Sequence, residues 1–216
     1  MGTDIHPVVE VRGGDGKWKA VKPPEPPKDS SEYKWYRPES WTWDFPRNYD
    51  SFAVLADVRN GYGFACVETD EPFVPISKPR GLPDDADTGI GDREWAYGDH
   101  SFSWLLLSEI LGYDWTRSRK QYGVVGPEDY REWKKTGRPK SWSGGACPAT
   151  AYTVTHAEME VLCEAPISGL SPCTRVEWMD ADRDSCWALL RFVKAIQDTL
   201  PGVDPERIRI VFGFDS

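Results

Sequence analysis

The sequence contains no run of about 18 apolar residues, the length that a membrane-spanning helix needs. It also lacks a basic segment followed by an apolar stretch, which is the pattern of a secretory signal peptide. Both absences predict that the 216-residue chain is soluble, has no membrane partner and lies in the cytoplasm.

An excess of basic residues is also missing. Lysine and arginine number 26 against 35 aspartates and glutamates, so the formal net charge is -9. Non-specific binding of DNA or RNA needs a basic surface, because it depends on contacts with phosphates. The composition argues against this class of function, although it leaves room for a local basic pocket that holds a small anion.

Cysteine is sparse and irregularly placed. The five cysteines form no Cys-x-x-Cys pair, which argues against a structural zinc site and against a disulfide framework. The simplest interpretation is reduced thiols in a cytosolic protein. The sequence signatures of serine hydrolases, P-loop enzymes, dinucleotide-binding folds and zinc proteases are absent as well.

Strand-like patterns cluster towards the two ends of the chain, with most helix-like patterns between them. Strands are predicted at 4–12, 17–22, 119–125, 150–156, 173–179 and 207–214. Helices are predicted at 49–59, 101–111, 127–136 and 183–200, whereas 157–164 either continues a strand or forms a helical turn. The prediction is an α+β fold with a mainly antiparallel sheet packed by about four helices. Residues 1–216 are predicted to form a single domain with a long loop insertion at about 61–98.

The first predicted strand carries an acid and a histidine two residues apart. Side chains at i and i+2 of a strand point to the same face, so Asp4 and His6 are expected to share one face. Pairing of the first strand with the last would bring both residues near Asp215. An imidazole beside carboxylates favours proton transfer, or binding of a divalent metal ion through nitrogen and oxygen.

Two predicted helix starts carry further polar residues. Free N–H groups at a helix start attract anions, so the segments 47–50 and 100–103 are candidate ligand-binding segments. Arg47 and Arg80 can each hold a phosphate or carboxylate through two hydrogen bonds. The candidate ligand-binding residues are Arg47, Asn48, Tyr49, Asp50, Arg80, Ser101 and Ser103; the candidate catalytic residues are Asp4, His6 and His100; the candidate metal ligands are Asp4, His6, His100 and Asp215.

Several of these residues also have an ordinary structural explanation. Asp99 and Ser101 are suited to capping a helix, and Asp50 to stabilising the helix dipole from the first turn. Arg80 can simply fasten the long loop. His156 lies on a strand-like pattern and is interpreted as structural or exposed.

The order of five segments along the chain is distinctive: Met1–His6, Arg47–Asn60, Pro79–Asp85, His100–Leu105 and Arg209–Ser216. Together they resemble a widespread, poorly characterised family of bacteriophage and prophage proteins, and they span nearly the full chain. The resemblance implies a phage origin, and therefore the cytoplasm of the host cell, but it implies no established activity.

The chain departs from this family at four positions. Members often carry cysteine at the position of Thr3 and histidine at that of Phe102. They more usually have a bulky aromatic residue at the position of Gly213 and asparagine at that of Ser216. The phenylalanine at 102 weakens the case for a metal site around this predicted helix start, and Thr3 indicates that no thiol is needed there.

The leading hypothesis is a phage accessory protein whose polar segments form one pocket for a small anionic, nucleotide-like ligand. Eleven tryptophans and nine tyrosines offer aromatic walls on which a base can stack. If the protein is an enzyme, the expected chemistry is metal-dependent hydrolysis of a phosphoester or glycosidic bond. The alternatives are a non-enzymatic binder that sequesters a host signalling nucleotide or inhibits a host defence protein, and a purely structural role in which the polar segments pin loops.

Overall fold

The computed structural model describes residues 2–26, 28–29, 40–62, 68–87, 100–144, 151–165, 167, 169 and 171–215. The chain divides into two compact units. The terminal unit comprises Gly2–Val58, Val74–Asp114 and Cys186–Ser216, and the central unit comprises Arg59–Phe73 and Trp115–Ser185. The single domain expected for 1–216 stays a prediction. Within the predicted long loop, the described residues 61–62 and 68–87 form no helix and only isolated β-bridges.

The terminal unit is built on a four-stranded antiparallel sheet of order β2-β1-β7-β3. Its strands are β1 (Asp4–Arg12), β2 (Trp18–Val21), β3 (His100–Leu106) and β7 (Ile208–Asp215). β1 and β2, which correspond to the first two predicted strands, form a hairpin. In its turn Gly16 has a φ of 80°, a left-handed conformation that glycine adopts without strain. β7 pairs with β1 on one side and with β3 on the other. The predicted α+β fold, with an antiparallel sheet of strands near both termini, is confirmed.

One face of the terminal sheet lines the apolar core of this unit. It consists of alternate side chains of β1 and β7, namely Ile5, Val9, Ile210, Phe212 and Phe214, each at most 5% exposed. Helix α1 (Tyr49–Ala56) packs on this face through Phe52, whose ring centroid lies 5.2 Å from that of Phe214. The alternation therefore leaves Asp4, His6 and Asp215 on the other face.

Helix α1 begins where it was predicted to begin, directly after Asn48, which caps it. The Ser51 amide donates a hydrogen bond to Asn48 Oδ1 (2.8 Å), which satisfies one of the free N–H groups of the first turn. The helix ends at Ala56, three residues before the predicted end, because Asp57 adopts a left-handed φ of 61°. Local capping signals thus predicted where the helix begins but not where it ends.

The segment 101–111, predicted as one helix, is a strand followed by a short helix. β3 pairs with β7, with Trp104 opposite Val211, and only Leu107–Leu111 (α2) is helical. The apolar residues of this segment fit a helical stripe, but strand pairing overrode that spacing. The segment 100–103 is therefore not a helix start, and the predicted cap Asp99 lies outside the described residues.

The central unit contains a three-stranded sheet of order β4-β6-β5. β4 (Ser118–Val125) pairs antiparallel with β6 (Ser171–Ala181), and β5 (Ala151–Thr153) pairs parallel with β6. Helices α3 (Pro127–Thr136) and α4 (His156–Glu164) belong to the same unit, and α3 has the predicted bounds. The core of the unit is formed by Val125, Tyr130, Val154, Met159, Val176 and Trp178.

The predicted strand 150–156 ends early because a helix begins at His156. The Glu158 amide donates to Thr155 Oγ1 (3.3 Å), and the Thr155 amide donates to a Glu158 carboxylate oxygen (2.8 Å). This reciprocal cap selects the helical alternative for 157–164. The interpretation of His156 as structural agrees with its Nε2, which lies 2.8 Å from the Arg175 carbonyl oxygen.

The predicted helix 183–200 is divided at Cys186 into α5 (Asp182–Ser185) and α6 (Trp187–Thr199). The boundary between the two units falls at the same residue. Near the start of α6, the Leu189 amide donates to the hydroxyl of Ser51 in α1 (3.2 Å). The apolar spacing runs through this point without interruption, so the sequence pattern does not reveal the break.

Two findings bear on the cellular compartment. Cys173 is disulfide-bonded, whereas Cys163 and Cys186 take part in no disulfide, so the expectation of reduced thiols is wrong at Cys173. Disulfides persist mainly in oxidising compartments, and the cytoplasmic location stays a prediction. Among the described residues, no helix is long and apolar enough to cross a membrane.

Replacement of Gly123 in β4 by alanine is expected to destabilise the protein. A Cβ atom there would lie 2.7 Å from Trp142 Cδ1 and 2.9 Å from Trp178 Cη2. The two indoles pack against each other with centroids 5.0 Å apart, so neither can move aside without disturbing the other. Such overpacking costs about 1–3 kcal/mol, measurable as a lower free energy of unfolding in urea. Gly14→Ala is the control, because its new Cβ meets nothing within 4 Å; equal stability of the two variants would contradict the expectation.

Candidate functional site

A group of polar side chains, here called the terminal-strand site, lies at one end of the terminal sheet. Its members are Asp4, His6, Arg47 and Asp215. The register between β1 and β7 sets Asp4 opposite Asp215 and His6 opposite Gly213. Directly opposed residues of an antiparallel pair have their side chains on the same face, so the carboxylates and the imidazole meet there. The prediction that strand pairing brings Asp4 and His6 near Asp215 is confirmed.

The Asp215 carboxylate orients the His6 ring. His6 Nε2 lies 3.1 Å from Asp215 Oδ2, and the Asp4 amide donates to Asp215 Oδ1 at 3.1 Å. An ionised carboxylate only accepts hydrogen bonds, so the proton of a neutral His6 ring belongs on Nε2. Nδ1 then carries the lone pair that can accept a proton. The His6 and Asp215 side chains are 25% and 42% exposed, which leaves both accessible to a ligand.

Arg47 binds Asp4 through two parallel hydrogen bonds. Its Nε donates to Asp4 Oδ1 (2.7 Å) and its Nη2 donates to Asp4 Oδ2 (2.5 Å). These bonds and the charge of Arg47 lower the pKa of the Asp4 carboxyl, and the charge of His6 adds to the effect. The same bonds raise the pKa of Arg47. Both side chains are about half exposed, so the pair adds little to the stability of the fold.

Gly2 accommodates the Arg47 guanidinium, a role that sequence reasoning missed. A Cβ atom at Gly2 would lie 2.3 Å from Arg47 Nη1 and 2.7 Å from its Cζ. Only glycine lets the backbone approach the guanidinium this closely. The sequence signal for this role was the position of Gly2, two residues before Asp4 in the segment Met1–His6.

Gly2→Ala is therefore expected to displace the Arg47 side chain and to weaken its double hydrogen bond with Asp4. Because the guanidinium sits at the end of a flexible chain, the fold should tolerate the change, with a stability loss below about 1 kcal/mol. The measurement is the pKa of Asp4 followed by carbon NMR of its carboxyl group, which should rise towards its ordinary value. An unchanged Asp4 pKa would show that Gly2 does not control this contact.

The other residues at the start of α1 have structural roles. Asn48 caps the helix through Oδ1, which also accepts from the Ser51 hydroxyl. The Tyr49 hydroxyl accepts a hydrogen bond from the Thr3 amide (3.3 Å), so it lies next to the terminal-strand site. Asp50 lies in the first turn, as expected for an acid that stabilises the helix dipole.

His100 is not brought to the terminal-strand site. It lies opposite Phe214 in the β3–β7 register, and the two rings stack with centroids 6.0 Å apart. Because Phe214 and Asp215 point to opposite faces of the sheet, His100 lies on the apolar face. Its Nδ1 is 3.0 Å from the hydroxyl of Ser101, which has a left-handed φ of 52° beside a register shift in β3.

Arg80 fastens the long loop, as the structural alternative predicted. Its guanidinium donates two hydrogen bonds to the Glu109 carboxylate (2.9 and 2.6 Å) and lies 4.9 Å from the centre of the Trp104 ring. Its backbone amide donates to the buried hydroxyl of Ser103 (3.1 Å). Arg80 therefore lies alongside β3, the strand that contains Ser103, and the bonds that hold Arg80 there do not involve the terminal-strand site.

Sequence reasoning also missed a buried ion pair on the same face as His6. Arg209 Nε and Nη2 both donate to Glu10 Oε2 (2.8 and 2.7 Å), and Arg209 Nη1 donates to Asp85 Oδ1 (2.7 Å). The guanidinium lies between Trp18 and Trp104, 4.2 and 5.8 Å from the ring centres. These two tryptophans, which were candidate walls for a base, thus enclose an arginine of the protein itself. Glu10 follows the same period-two alternation as Asp4 and His6. This alternation was the sequence signal that Glu10 lies on their face of the sheet.

The described residues offer no preformed metal site. No group of three or more histidine, cysteine, aspartate or glutamate side chains among them is arranged to hold a metal ion. A cavity of about 40 Å³ lies in the central unit, between Tyr122, Val124 and Arg175 of the sheet and the segments 68–69 and 143–144. Pockets for organic ligands are roughly 300–1,000 Å³, so this cavity suits only water or a very small ion. The divalent metal stays a prediction.

Comparison with known proteins adds no assignment: no family model, curated protein or solved structure matches the chain. The likeness to phage proteins therefore stays a prediction. What can be said about function depends on the geometry of the terminal-strand site.

Proposed function

We propose that the protein binds a small anionic, nucleotide-like ligand at the terminal-strand site, where His6 transfers a proton during hydrolysis of a phosphoester or glycosidic bond. The observation that carries the proposal is the arrangement of His6 Nε2 and the Asp4 amide on the two oxygens of Asp215. A carboxylate held in this way fixes both the orientation and the tautomer of an imidazole, which is what general acid–base chemistry requires.

Each residue has a distinct role in this proposal. His6 takes up or releases the proton through Nδ1, and Asp215 holds the ring in place through Nε2. Arg47 binds a phosphate or carboxylate of the ligand, since its planar fork matches such groups. His100 and Arg80 have no part in the chemistry, because neither contacts the site.

The second candidate function is binding without turnover, in a phage protein that sequesters a host signalling nucleotide. Its support is the exposure of the site: His6, Arg47 and Asp215 all remain partly open to solvent. Enzymes that hydrolyse nucleotides generally exclude bulk water from the reacting groups. Inhibition of a host defence protein is a further form of this candidate, and the geometry of the site adds nothing in its favour.

Mass spectrometry of a nucleotide panel separates these functions. The purified protein is incubated with nucleoside phosphates and cyclic nucleotides, with Mg²⁺ or Mn²⁺ in one arm and a chelator in the other. A change in ligand mass indicates hydrolysis, whereas an intact ligand retained by the protein indicates sequestration. Arg47→Gln should lose the interaction and Arg80→Gln should keep it. Absence of both retention and turnover across the panel would overturn the proposal.

A further inference from the structure

We propose that Asp4 is a built-in competitor for the ligand: it occupies the anion-binding fork of Arg47 in the free protein, and an incoming phosphate group exchanges with it. The inference rests on the terminal-strand site of the proposed function, and it specifies the ligand chemistry as a phosphate with two free oxygens. It concerns binding alone and requires no catalysis.

The geometry of the Arg47–Asp4 pair matches that of an arginine–phosphate contact. Asp4 uses Nε and Nη2, the edge of the guanidinium that presents two parallel N–H groups. A phosphate with two free oxygens makes the same two bonds on the same edge, so it cannot bind there while Asp4 does. Asp4 therefore stands in for the ligand in the free protein.

The exposure of the pair makes exchange easy. The Arg47 and Asp4 side chains are 51% and 46% exposed, whereas Arg209 and Glu10 are 3% and 0% exposed. A buried pair cannot be opened without stranding a charge away from water, but Asp4 can be solvated as it leaves Arg47. Of Arg47 and Arg209, only Arg47 is suited to exchange its carboxylate partner for a phosphate.

The released Asp4 carboxylate stays beside the reacting groups, because its backbone is fixed in β1 by the pairing with β7. The charged and titratable groups around the exchanged pair are His6, Asp215 and Tyr49, all in the terminal unit. Exchange thus leaves the Asp4 carboxylate on the same face of the sheet as His6 and Asp215.

The test is a titration with inorganic phosphate, followed by NMR, of the wild type and three variants. Asp4→Asn removes the competing charge and should bind phosphate roughly two- to fivefold more tightly. Glu109→Gln is the matched control, because it neutralises a carboxylate on another doubly bonded arginine, Arg80, of the same unit. It should leave the affinity within twofold of the wild type, and Arg47→Gln should abolish saturable binding.

A second readout distinguishes exchange from a general loss of negative charge. In the wild type, saturation with phosphate should raise the pKa of Asp4, because Arg47 no longer holds its carboxylate. Equal affinities of Asp4→Asn and Glu109→Gln, or an Asp4 pKa that phosphate leaves unchanged, would overturn the inference. A parallel titration with a nucleoside 5′-monophosphate shows whether free phosphate or a nucleotide is the better occupant. Exchange without turnover would refute the enzymatic part of the proposed function and leave this inference standing.

Discussion

Arg209→Ala is expected to lower the free energy of unfolding by about 3–5 kcal/mol, a larger loss than that expected of Gly123→Ala or Gly2→Ala. The substitution leaves the fully buried Glu10 carboxylate without its guanidinium partner. It also removes the cation between Trp18 and Trp104, and the bond to Asp85 that holds the 83–87 segment on the sheet. Urea unfolding followed by tryptophan fluorescence measures the loss.

Two variants separate the buried charge from the loss of side-chain volume. Arg80→Ala breaks a doubly bonded arginine–glutamate pair that is more exposed, and it should cost less than about 1 kcal/mol. The double variant Glu10→Leu with Arg209→Leu should lose less stability than Arg209→Ala, because it leaves no stranded charge. A loss below about 1 kcal/mol in Arg209→Ala would contradict the assignment of a buried ion pair.

The effect of pH on the contact between Arg209 and Asp85 has a definite sign. The hydrogen bond from Arg209 lowers the pKa of Asp85 below its ordinary value of 3.8. A carboxyl whose pKa is lower in the folded state stabilises the fold at higher pH, and the contribution is lost as the pH falls through the folded pKa. The stability difference between the wild type and Arg209→Ala should therefore shrink below about pH 4. The shrinkage should be small, because Asp85 is largely exposed.

The second large effect is expected from His6→Gln, which should lower turnover of the ligand by about 10²- to 10⁴-fold. Glutamine can keep a hydrogen bond to Asp215, but it cannot exchange a proton near neutral pH. Binding should persist, because Arg47 remains in place, so the change should fall on kcat rather than on KM. The assay is the mass-spectrometric one, with the nucleotide that the panel identifies.

His156→Gln is the matched control for this substitution. It replaces a histidine of the central unit whose ring contacts a backbone carbonyl oxygen, whereas the terminal-strand site belongs to the terminal unit. Its turnover should equal that of the wild type. Undiminished turnover in His6→Gln, with the fold intact, would contradict the proton-transfer role.

The sequence predicted those features that depend on short-range patterns. Period-two alternation placed Asp4 and His6 on one face and marked the last strand. The predicted starts of α1 and α3 were also right, because Asn48 suits the cap position and Pro127 the first turn of a helix. The pairing of the last strand with the first was a separate hypothesis about topology. The cluster of Asp4, His6 and Asp215 required this hypothesis in addition to the local signals, and the β1–β7 register bears the hypothesis out.

Features that depend on tertiary contacts were not predicted. His100 was placed at a helix start, because its neighbours have helical apolar spacing, but pairing with β7 made the segment a strand and turned His100 to the apolar face. The break at Cys186 lies where the chain passes between two compact units, which no periodicity records. Partners such as Glu10 and Arg209 are 199 residues apart, and a single sequence does not reveal which charges meet.

The most direct test of the terminal-strand site is nitrogen–proton NMR of the His6 ring and the Arg47 guanidinium during titration with the nucleotide panel. Before addition, the His6 ring should be the Nε2–H form, hydrogen-bonded to Asp215. At least one anionic nucleotide should shift the signals of both side chains along one saturable curve, and Arg80 should not move. A His6 ring with its proton on Nδ1, or a panel in which no compound shifts either side chain, would contradict the account.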